Sequence, residues 1–329
     1  MARSPDASRF AGATALVTGG AGFIGSHLVE GLLAAGAARV IVLDDLSLGR
    51  EENLSAVRDR IELVVADCAD ERALRSACGP SRLDFCFNLA VIPLPHSLAH
   101  PRENVDRNVA MTTAVCELQR AGAFERLVQY SSSEVYGTAL TAAPMSEEHP
   151  LHAHTPYAAA KAATDLVALS YAGTFDLDVV VVRPFNAYGE RQNDAAYAGL
   201  IPEVIRRVRE GSPITVNGDG EQTRDMSYVS DTVAATLALA LADHALGGTF
   251  NVGTGTEVSV NEMVRALLVA LDRPDHPVEH GPERRGDVRR LVADTARIRD
   301  AVGFEPSVAV DEGFRRTVDW YRKAATAAR

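Results

Sequence analysis

Tyr157 and Lys161 stand four positions apart in a stretch that carries its own helix-start signals. Thr155 is a side chain that caps helix N-termini, and Pro156 suits the first helical position, where no backbone N–H is needed. Residues four apart lie on one face of a helix, so we expect the ammonium of Lys161 near the phenol of Tyr157. A nearby positive charge favours the phenolate, and we therefore predict that Tyr157 accepts a proton near neutral pH.

A second polar group precedes this helix by one loop. Ser132, Ser133 and Glu134 follow the end of an apolar strand, and ligands of parallel sheets bind at that end. Taken alone, such a cluster is ordinary loop capping. Together with Tyr157 and Lys161 it can surround one substrate hydroxyl: Tyr157 takes the proton, Ser132 shares the hydrogen bond and Lys161 tunes the pKa of the phenol.

Three glycines near the N-terminus predict a dinucleotide site. Gly19, Gly22 and Gly25 follow a predicted strand and open the next helix. This spacing gives a tight turn, close approach of the backbone to a pyrophosphate and close packing of helix on strand. The helix N-terminus adds free N–H groups and the positive end of its dipole. The predicted cofactor-binding residues are Gly19, Gly22, Phe23, Ile24, Gly25, Asp44, Asp67, Leu89, Tyr157 and Lys161.

Asp44 ends the second predicted strand, at the distance of about 20 residues where a dinucleotide site has its acidic residue. Its carboxylate would accept hydrogen bonds from the ribose hydroxyls and repel a 2′-phosphate, which favours NAD over NADP. Arg50 lies close enough to keep NADP as an alternative. Asp67, at the end of the third strand, is a candidate for binding the adenine amino group.

Apolar strands alternate with helices as far as residue 183. Strands are predicted at residues 13–18, 39–43, 61–66, 83–88, 126–130 and 178–183, and a long helix at residues 101–121. Near-continuous apolar strands in this alternation indicate a parallel sheet covered on both faces. We therefore predict an α/β protein with a Rossmann-type doubly wound parallel sheet and a smaller C-terminal α+β domain.

Composition and charge argue against several classes of protein. The 329 residues include 33 Lys and Arg against 44 Asp and Glu, for a net charge of −11 with no long basic run. Binding to nucleic acid or to a membrane surface therefore has little support. No long apolar segment or signal-like leader is present, which predicts a cytoplasmic protein. No metal site is predicted, because the cysteines lack metal-type spacing and the histidines cluster in a loop expected to be solvated. These residues are Cys68, Cys78, Cys86, Cys116, His149, His152 and His154.

Together these motifs resemble the extended short-chain dehydrogenase/reductases that modify nucleotide sugars. The resemblance rests on residues 18–25, the serine-rich strand end, Tyr157 with Lys161, and residues 183–189, and it extends from the first strand to the last helix. It implies NAD as the cofactor, a UDP-linked sugar as the substrate, and a homodimer formed through the helices that begin near Pro101 and Tyr157.

The resemblance also implies a division of the chain. Residues 1–183 are expected to form the NAD-binding domain, to which residues 228–252 return, and residues 184–227 and 253–329 the substrate domain. Two separated arginines suit a diphosphate, which accepts charge-assisted hydrogen bonds. Arg285 is expected in a solvated turn. The implied substrate-binding residues are Asn186, Arg191, Leu200, Val216, Arg224, Arg284 and Asp287.

The family shares a first step, oxidation of the sugar at C4, and its members differ in the later steps. The resemblance assigns the choice to Ser133 and Glu134, since 4,6-dehydratases carry an Asp-Glu pair there. The Ser-Glu pair is similar to that of UDP-glucuronate decarboxylases, which give UDP-xylose or its 4-keto precursor, and this is the leading prediction. A UDP-sugar 4-epimerase is the alternative, a 4,6-dehydratase comes third, and a non-catalytic NAD or nucleotide-sugar binding protein is the other class. The predicted catalytic residues are Tyr157, Lys161, Ser132, Ser133 and Glu134.

Overall fold

The computed structural model describes residues 10–194, 199–284 and 286–327, so Arg285 lies outside the described residues. The strands are β1 (Thr14–Thr18), β2 (Arg39–Asp44), β3 (Glu62–Val65), β4 (Leu83–Asn88), β5 (Phe124–Tyr130), β6 (Asp178–Pro184), β7 (Ala187–Tyr188), β8 (Ile214–Asn217), β9 (Thr223–Asp225), β10 (Ser227–Tyr228), β11 (Thr249–Val252), β12 (Glu257–Ser259), β13 (Val278–Gly281) and β14 (Arg290–Leu291). The helices are α1 (Phe23–Ala34), α2 (Glu71–Cys78), α3 (Leu94–Ala99), α4 (Pro101–Arg120), α5 (Pro156–Phe175), α6 (Leu200–Glu210), α7 (Val229–Leu241), α8 (Val260–Ala270), α9 (Ala296–Val302) and α10 (Val310–Ala327).

The main sheet of the described chain has seven parallel strands in the order β11-β6-β5-β4-β1-β2-β3. The six strands predicted from the sequence between residues 13 and 183 are all present, and their ends differ from the prediction by no more than two residues. The interior strands are apolar on both faces: residues 179–182 of β6 have no exposed surface. The strand order reverses between β1 and β4. Ligands of such sheets bind next to this reversal, at the carboxyl ends of the strands. The predicted doubly wound fold is confirmed.

Helices cover both faces of this sheet. On one face α1 and α7 bury Leu28 and Leu239, and on the other α2 and α4 bury Leu74 and Val115. Each such side chain contributes roughly 1.5–3 kcal/mol through removal from water. The second layer also contains the four cysteines, which are buried and free. None of the described helices is long and apolar enough to cross a membrane.

A separate apolar cluster lies between α6, β8, α8 and α10. It includes Val204, Val216, Leu267 and Phe314, and Trp320 packs against it. Along the chain, α7 and β11 come between the elements of this cluster but belong to the main sheet and the helices that cover it. There α7 packs on α1, and β11 pairs with β6. The boundaries between the NAD-binding and substrate domains remain a prediction.

Candidate active site

The helix α5 begins where its sequence predicts. The backbone of Thr155 is extended, and its Oγ1 accepts a 3.2 Å hydrogen bond from the backbone N–H of Ala158. Pro156 is the first helical residue. Because such a cap contributes about 1 kcal/mol, the start of α5 is fixed locally and places Tyr157 and Lys161 one turn apart.

Lys161 is buried, and its ammonium is directed at the end of β5. Its Nζ donates a hydrogen bond to the backbone carbonyl of Tyr130, the last residue of that strand. Burial lowers the pKa of Lys161 to about 8, and the carboxylate of Asp165 opposes this shift. At pH 7 the amine is therefore still mostly protonated.

The pKa of Tyr157 is raised, whereas the sequence predicts that it is lowered. Burial raises the pKa of Tyr157 to about 12, a hydrogen bond with Ser132 opposes this in part, and the carboxylate of Glu134 adds to it. The ammonium of Lys161 is engaged by the carbonyl of Tyr130. Burial therefore shifts the pKa of this phenol away from neutrality in the protein by itself, and the role of Tyr157 as proton acceptor stays a prediction.

The turn after β5 carries Ser132, Ser133 and Glu134. The Oγ of Ser132 accepts a 3.2 Å hydrogen bond from the backbone N–H of Glu134 and so caps a short 3₁₀ helix. Ser133 is buried, Ser132 and Glu134 are half-buried, and all three lie on the wall of a cavity. Burial raises the pKa of Glu134, and nearby arginines offset this in part. Glu134 therefore keeps a proton at a higher pH than a solvated glutamate does.

A cavity of about 460 Å³, here called the cofactor cavity, runs from the glycine-rich turn to Tyr157 and Lys161. Gly19 has φ +66°, and a Cβ on it would lie 2.8 Å from the backbone nitrogen of Ala90. A Cβ on Gly25 would collide with the carbonyl oxygen of Gly19. Both positions therefore require glycine for the close approach of helix and turn.

The donors and acceptors of this cavity fit a dinucleotide. The N-cap residue of α1, Gly22, has no side chain to cap the helix, which leaves the first N–H groups of α1 and its dipole for a pyrophosphate. Asp44 is held at the wall, because Oδ2 accepts from the backbone N–H of Ala21 and Oδ1 from that of Leu46, each at 2.9 Å. The lining also includes Phe23, Ile24, Asp67 and Leu89.

Two further charged residues near Asp44 are paired within the protein. Asp67 Oδ2 accepts a 2.9 Å hydrogen bond from Arg107 Nη2, although Asp67 still lines the cofactor cavity. Arg50 Nη2 donates to Asp194 Oδ1 at 2.7 Å. Arg50 is absent from the described lining of the cavity. Arg50, the residue that left NADP open as the cofactor, is thus paired with Asp194.

A second cavity, of about 390 Å³, is here called the substrate cavity. Arg224 Nη2 donates to Asp287 Oδ1 at 2.5 Å, and Arg224 Nη1 donates to the carbonyl of Val288 at 2.6 Å. Asp287 thus orients the guanidinium. The predicted substrate residues found in its lining are Asn186, Leu200, Val216, Arg224, Arg284 and Asp287. The residues that line both cavities are Glu134, Asn186, Ala187, Gln192 and Gly199.

Arg191 lies outside the substrate cavity. Its Nη2 donates to Glu30 Oε1 on α1 at 2.6 Å, and its backbone has φ +65°. It lines a small space of about 30 Å³ together with Phe23 and Trp320. The substrate role predicted for Arg191 is therefore corrected, because the ion pair turns the guanidinium toward α1.

Two polar residues at the site are missed by the sequence motifs. Asp165 lies one turn beyond Lys161 and forms a buried ion pair with Arg183, with 2.9 Å between Oδ2 and Nε. Continuing the four-residue spacing from Tyr157 would have indicated it. Gln192 lines both cavities, and no pattern in the sequence indicates it.

The histidine loop holds no described metal-ligand cluster. Within the described ranges, no group of three or more His, Cys, Asp or Glu side chains could hold a metal ion. His149 is used locally, since its Nδ1 lies 2.9 Å from the carbonyl oxygen of Pro150. His152 and His154 are exposed, and their rings meet edge to face at 5.6 Å.

The parallel sheet, the glycine-rich turn and the two joined cavities define an enzyme of the extended short-chain dehydrogenase/reductase class. Residues 15–253 match the NAD dependent epimerase/dehydratase family. The chain belongs to this family, and NAD is its cofactor.

Relatives within this family carry out different reactions. The chain is 39% identical over 311 residues to a UDP-glucose 4-epimerase of Mycolicibacterium smegmatis, covering 93% of this chain and 98% of that one. It is 30% identical over 321 residues to a UDP-N-acetyl-alpha-D-glucosaminuronate decarboxylase of Bacillus cytotoxicus, covering 94% and 97%. The crystal structure of the dTDP-glucose 4,6-dehydratase DesIV of Streptomyces venezuelae, with NAD bound, is similar at a TM-score of 0.89 and 32% identity, covering 95% and 98%. The protein is therefore similar to enzymes that modify nucleotide sugars by several routes.

Proposed function

We propose that the protein is a UDP-glucuronate decarboxylase that oxidises the sugar at C4 before it releases carbon dioxide. The observation that carries this proposal is the position of Glu134, where the cofactor cavity and the substrate cavity meet. Burial raises the pKa of Glu134, and its carboxyl oxygens make no hydrogen bond with the described residues. Such a group suits proton transfer to a sugar carbon, which a 4-epimerase does not require.

In the first step the C4 carbon loses a hydride and its hydroxyl loses a proton. Tyr157 accepts the proton, and Ser132 donates a hydrogen bond to the same oxygen. When bound, NAD⁺ supplies the hydride acceptor, and its positive ring charge favours the phenolate that the protein by itself disfavours. Lys161 holds the neighbouring end of β5 through the carbonyl of Tyr130.

In the second step the 4-keto derivative of glucuronate is a β-keto acid. Its C5–C6 bond breaks as the bonding electron pair moves toward the C4 oxygen, and C6 leaves as carbon dioxide. The protonated phenol of Tyr157 and the hydroxyl of Ser132 stabilise the enolate oxygen. Glu134 then delivers a proton to C5. Reduction at C4 by the bound cofactor, with Tyr157 returning its proton to the C4 oxygen, would give UDP-xylose, and release before that step would give the 4-keto precursor.

Ser133 argues against a 4,6-dehydratase. Elimination of the C6 hydroxyl needs an acid that protonates the leaving oxygen, and a serine hydroxyl is a very weak acid. Ser133 lines the cofactor cavity but is only 3% exposed. A single carboxyl group, Glu134, then remains in this turn for acid–base work.

A UDP-sugar 4-epimerase is the second candidate, and the charges of the cavities favour it. Among the described residues that line the two cavities, the Lys and Arg side chains are Lys161, Arg224 and Arg284. The two arginines suit a diphosphate, and Lys161 is engaged by the carbonyl of Tyr130. A glucuronate carboxylate would therefore find no further cation there, whereas a neutral hexose needs none.

Product masses separate these candidates. The protein is incubated with NAD⁺ and either UDP-glucuronate or UDP-glucose. Loss of carbon dioxide supports decarboxylation, an isobaric product supports epimerisation, and loss of water supports dehydration. Unchanged UDP-glucuronate refutes the leading proposal, and a binding-only protein would leave both sugars unchanged.

Two variants test the assigned roles. Glu134→Gln keeps the size of the side chain but removes its acid, so it should slow protonation of C5, and with it formation of the decarboxylated product, by roughly 10²–10⁴-fold while C4 oxidation continues. NADH absorbance follows that first step. Tyr157→Phe should stop both steps, and turnover by this variant would contradict the role given to the phenol.

We also propose that the protein is a cytoplasmic homodimer in which α4 and α5 pack against their copies. Leu166 on α5 is 62% exposed, and packing it against a second copy of the helix would remove its apolar surface from water. Light scattering should show a dimer for the protein and a monomer for Leu166→Glu. Val269, 66% exposed on α8, provides the matched control, since Val269→Glu should leave the mass unchanged. Free buried thiols suit the reducing cytoplasm.

A further inference from the structure

Gln192 lies where the two cavities and the small space beside α1 meet, since it lines all three. Its backbone carbonyl accepts a 2.5 Å hydrogen bond from the hydroxyl of Tyr321 on α10. The preceding residue, Arg191, is ion-paired with Glu30 on α1. The backbone at Gln192 is therefore fixed from both sides of the site.

The backbone of Gln192 is hydrogen-bonded, but within the described chain the carbonyl oxygen of its side chain is not. Its Oε1 is buried and has no hydrogen-bond partner among the described residues. A buried carbonyl oxygen without a hydrogen-bond partner is unfavourable, so a ligand that donates a hydrogen bond to Oε1 gains from that contact. The residues that share the meeting point of the cavities include Glu134 and Asn186. A sugar attached to a nucleotide in the substrate cavity must pass this point to reach Tyr157.

We propose that the side chain of Gln192 hydrogen-bonds a hydroxyl of the bound sugar and so positions the ring for oxidation at C4. The inference rests on the nucleotide-sugar chemistry proposed above, and it holds for decarboxylation and epimerisation alike. A sugar hydroxyl donates as well as accepts, so it can pair with either edge of the amide. A diphosphate offers only acceptors and cannot satisfy Oε1. The donors on the uridine and those on NAD⁺ are distinguished from the sugar hydroxyls by the arms of the test.

Binding is measured by calorimetry in the Tyr157→Phe background, which prevents turnover. The titrants are NAD⁺ and, with the NAD⁺-loaded protein, UDP, UDP-glucose and UDP-glucuronate. Gln192→Met keeps the length of the side chain without its polar atoms, and should weaken both UDP sugars about tenfold while UDP and NAD⁺ change by less than about twofold. Gln192→Glu keeps an acceptor and should retain most of the affinity for UDP-glucose. Gln222→Met is the matched control, because Gln222 lines only the substrate cavity, so any loss should be equal for UDP and the UDP sugars.

Several results would overturn the inference. Unchanged affinity of Gln192→Met for both UDP sugars removes the proposed contact. An equal loss for UDP assigns the amide to the uridine, and a loss for NAD⁺ assigns it to the cofactor. The measurement is independent of the product formed, so failure of decarboxylation in the mass assay leaves this inference standing. Melting temperatures of both Gln192 variants identify a loss that comes from misfolding.

Discussion

Replacing Arg183 with methionine removes one partner of a buried ion pair beneath the catalytic helix. Arg183 Nε donates to Asp165 Oδ2 at 2.9 Å, and Nη1 donates to the hydroxyl of Tyr136 at 2.8 Å. That hydroxyl donates in turn to Asn251 Oδ1 at 2.6 Å. The side chains of Arg183 and Asp165 are only 6% and 1% exposed, so the substitution leaves a carboxylate buried without its partner.

Removing one partner of such a pair costs about 3–5 kcal/mol of unfolding free energy. Methionine retains most of the apolar volume, so the loss is chiefly electrostatic. The pKa of Asp165 is raised by burial, and Arg183 lowers it. In Arg183→Met that pKa rises further, so the penalty is present above the folded pKa and shrinks as the pH falls and Asp165 takes up a proton.

Urea unfolding measures this penalty, with Trp320 as the single tryptophan reporter. With a slope of about 3 kcal/mol/M, the midpoint should fall by about 1 M or more at neutral pH. Adding Asp165→Asn removes the unpaired buried carboxylate and should restore at least half of the lost unfolding free energy. A midpoint for Arg183→Met equal to that of the unaltered protein, or a double variant no more stable than the single one, would refute the reasoning.

Three other perturbations act on the cofactor turn and the start of α5. Gly25→Ala should abolish NAD⁺ binding in calorimetry, because its Cβ would collide with the carbonyl of Gly19, whereas Gly173→Ala, which meets nothing within 4 Å, should bind normally. Thr155→Ala should lower the unfolding free energy by about 1 kcal/mol in urea titrations, and an equal loss in Thr155→Ser would deny the hydroxyl its capping role. Without NAD⁺, the tyrosinate absorbance of Tyr157, obtained by subtracting that of Tyr157→Phe, should be negligible below about pH 11, because burial raises its pKa to about 12. Ionisation of that phenol near neutral pH would contradict this account.

The features that depend on local patterns are predictable from the sequence. Several strands of the main sheet, such as β6 at residues 179–182, are nearly continuous apolar runs, which is the pattern of a strand buried on both faces. The start of α5 is equally local, because Thr155 and Pro156 carry its signals. The glycine-rich turn follows from spacing, since Gly19 and Gly25 must lie against their neighbours without a Cβ.

Features that depend on distant partners are not predictable in this way. Arg191 is turned from the substrate by Glu30, which lies 161 positions earlier in the chain. The spacing of Tyr157 and Lys161 gives their separation but not their hydration, and hydration decides the pKa of the phenol. Gln192 belongs to the site through the meeting of two cavities, each lined from several elements.

The strand β11 also has a consequence for synthesis of the protein on the ribosome. It pairs with β6 from a position 65 residues after that strand ends. At about 5–20 residues per second, the edge of β6 stays open for roughly 3–13 s while the intervening chain is made. The exposed edge would be a wholly apolar segment, residues 179–182, which is a template for pairing with other chains. Chains that terminate in this interval should therefore aggregate, and chaperones that bind extended apolar segments would act on them at this stage.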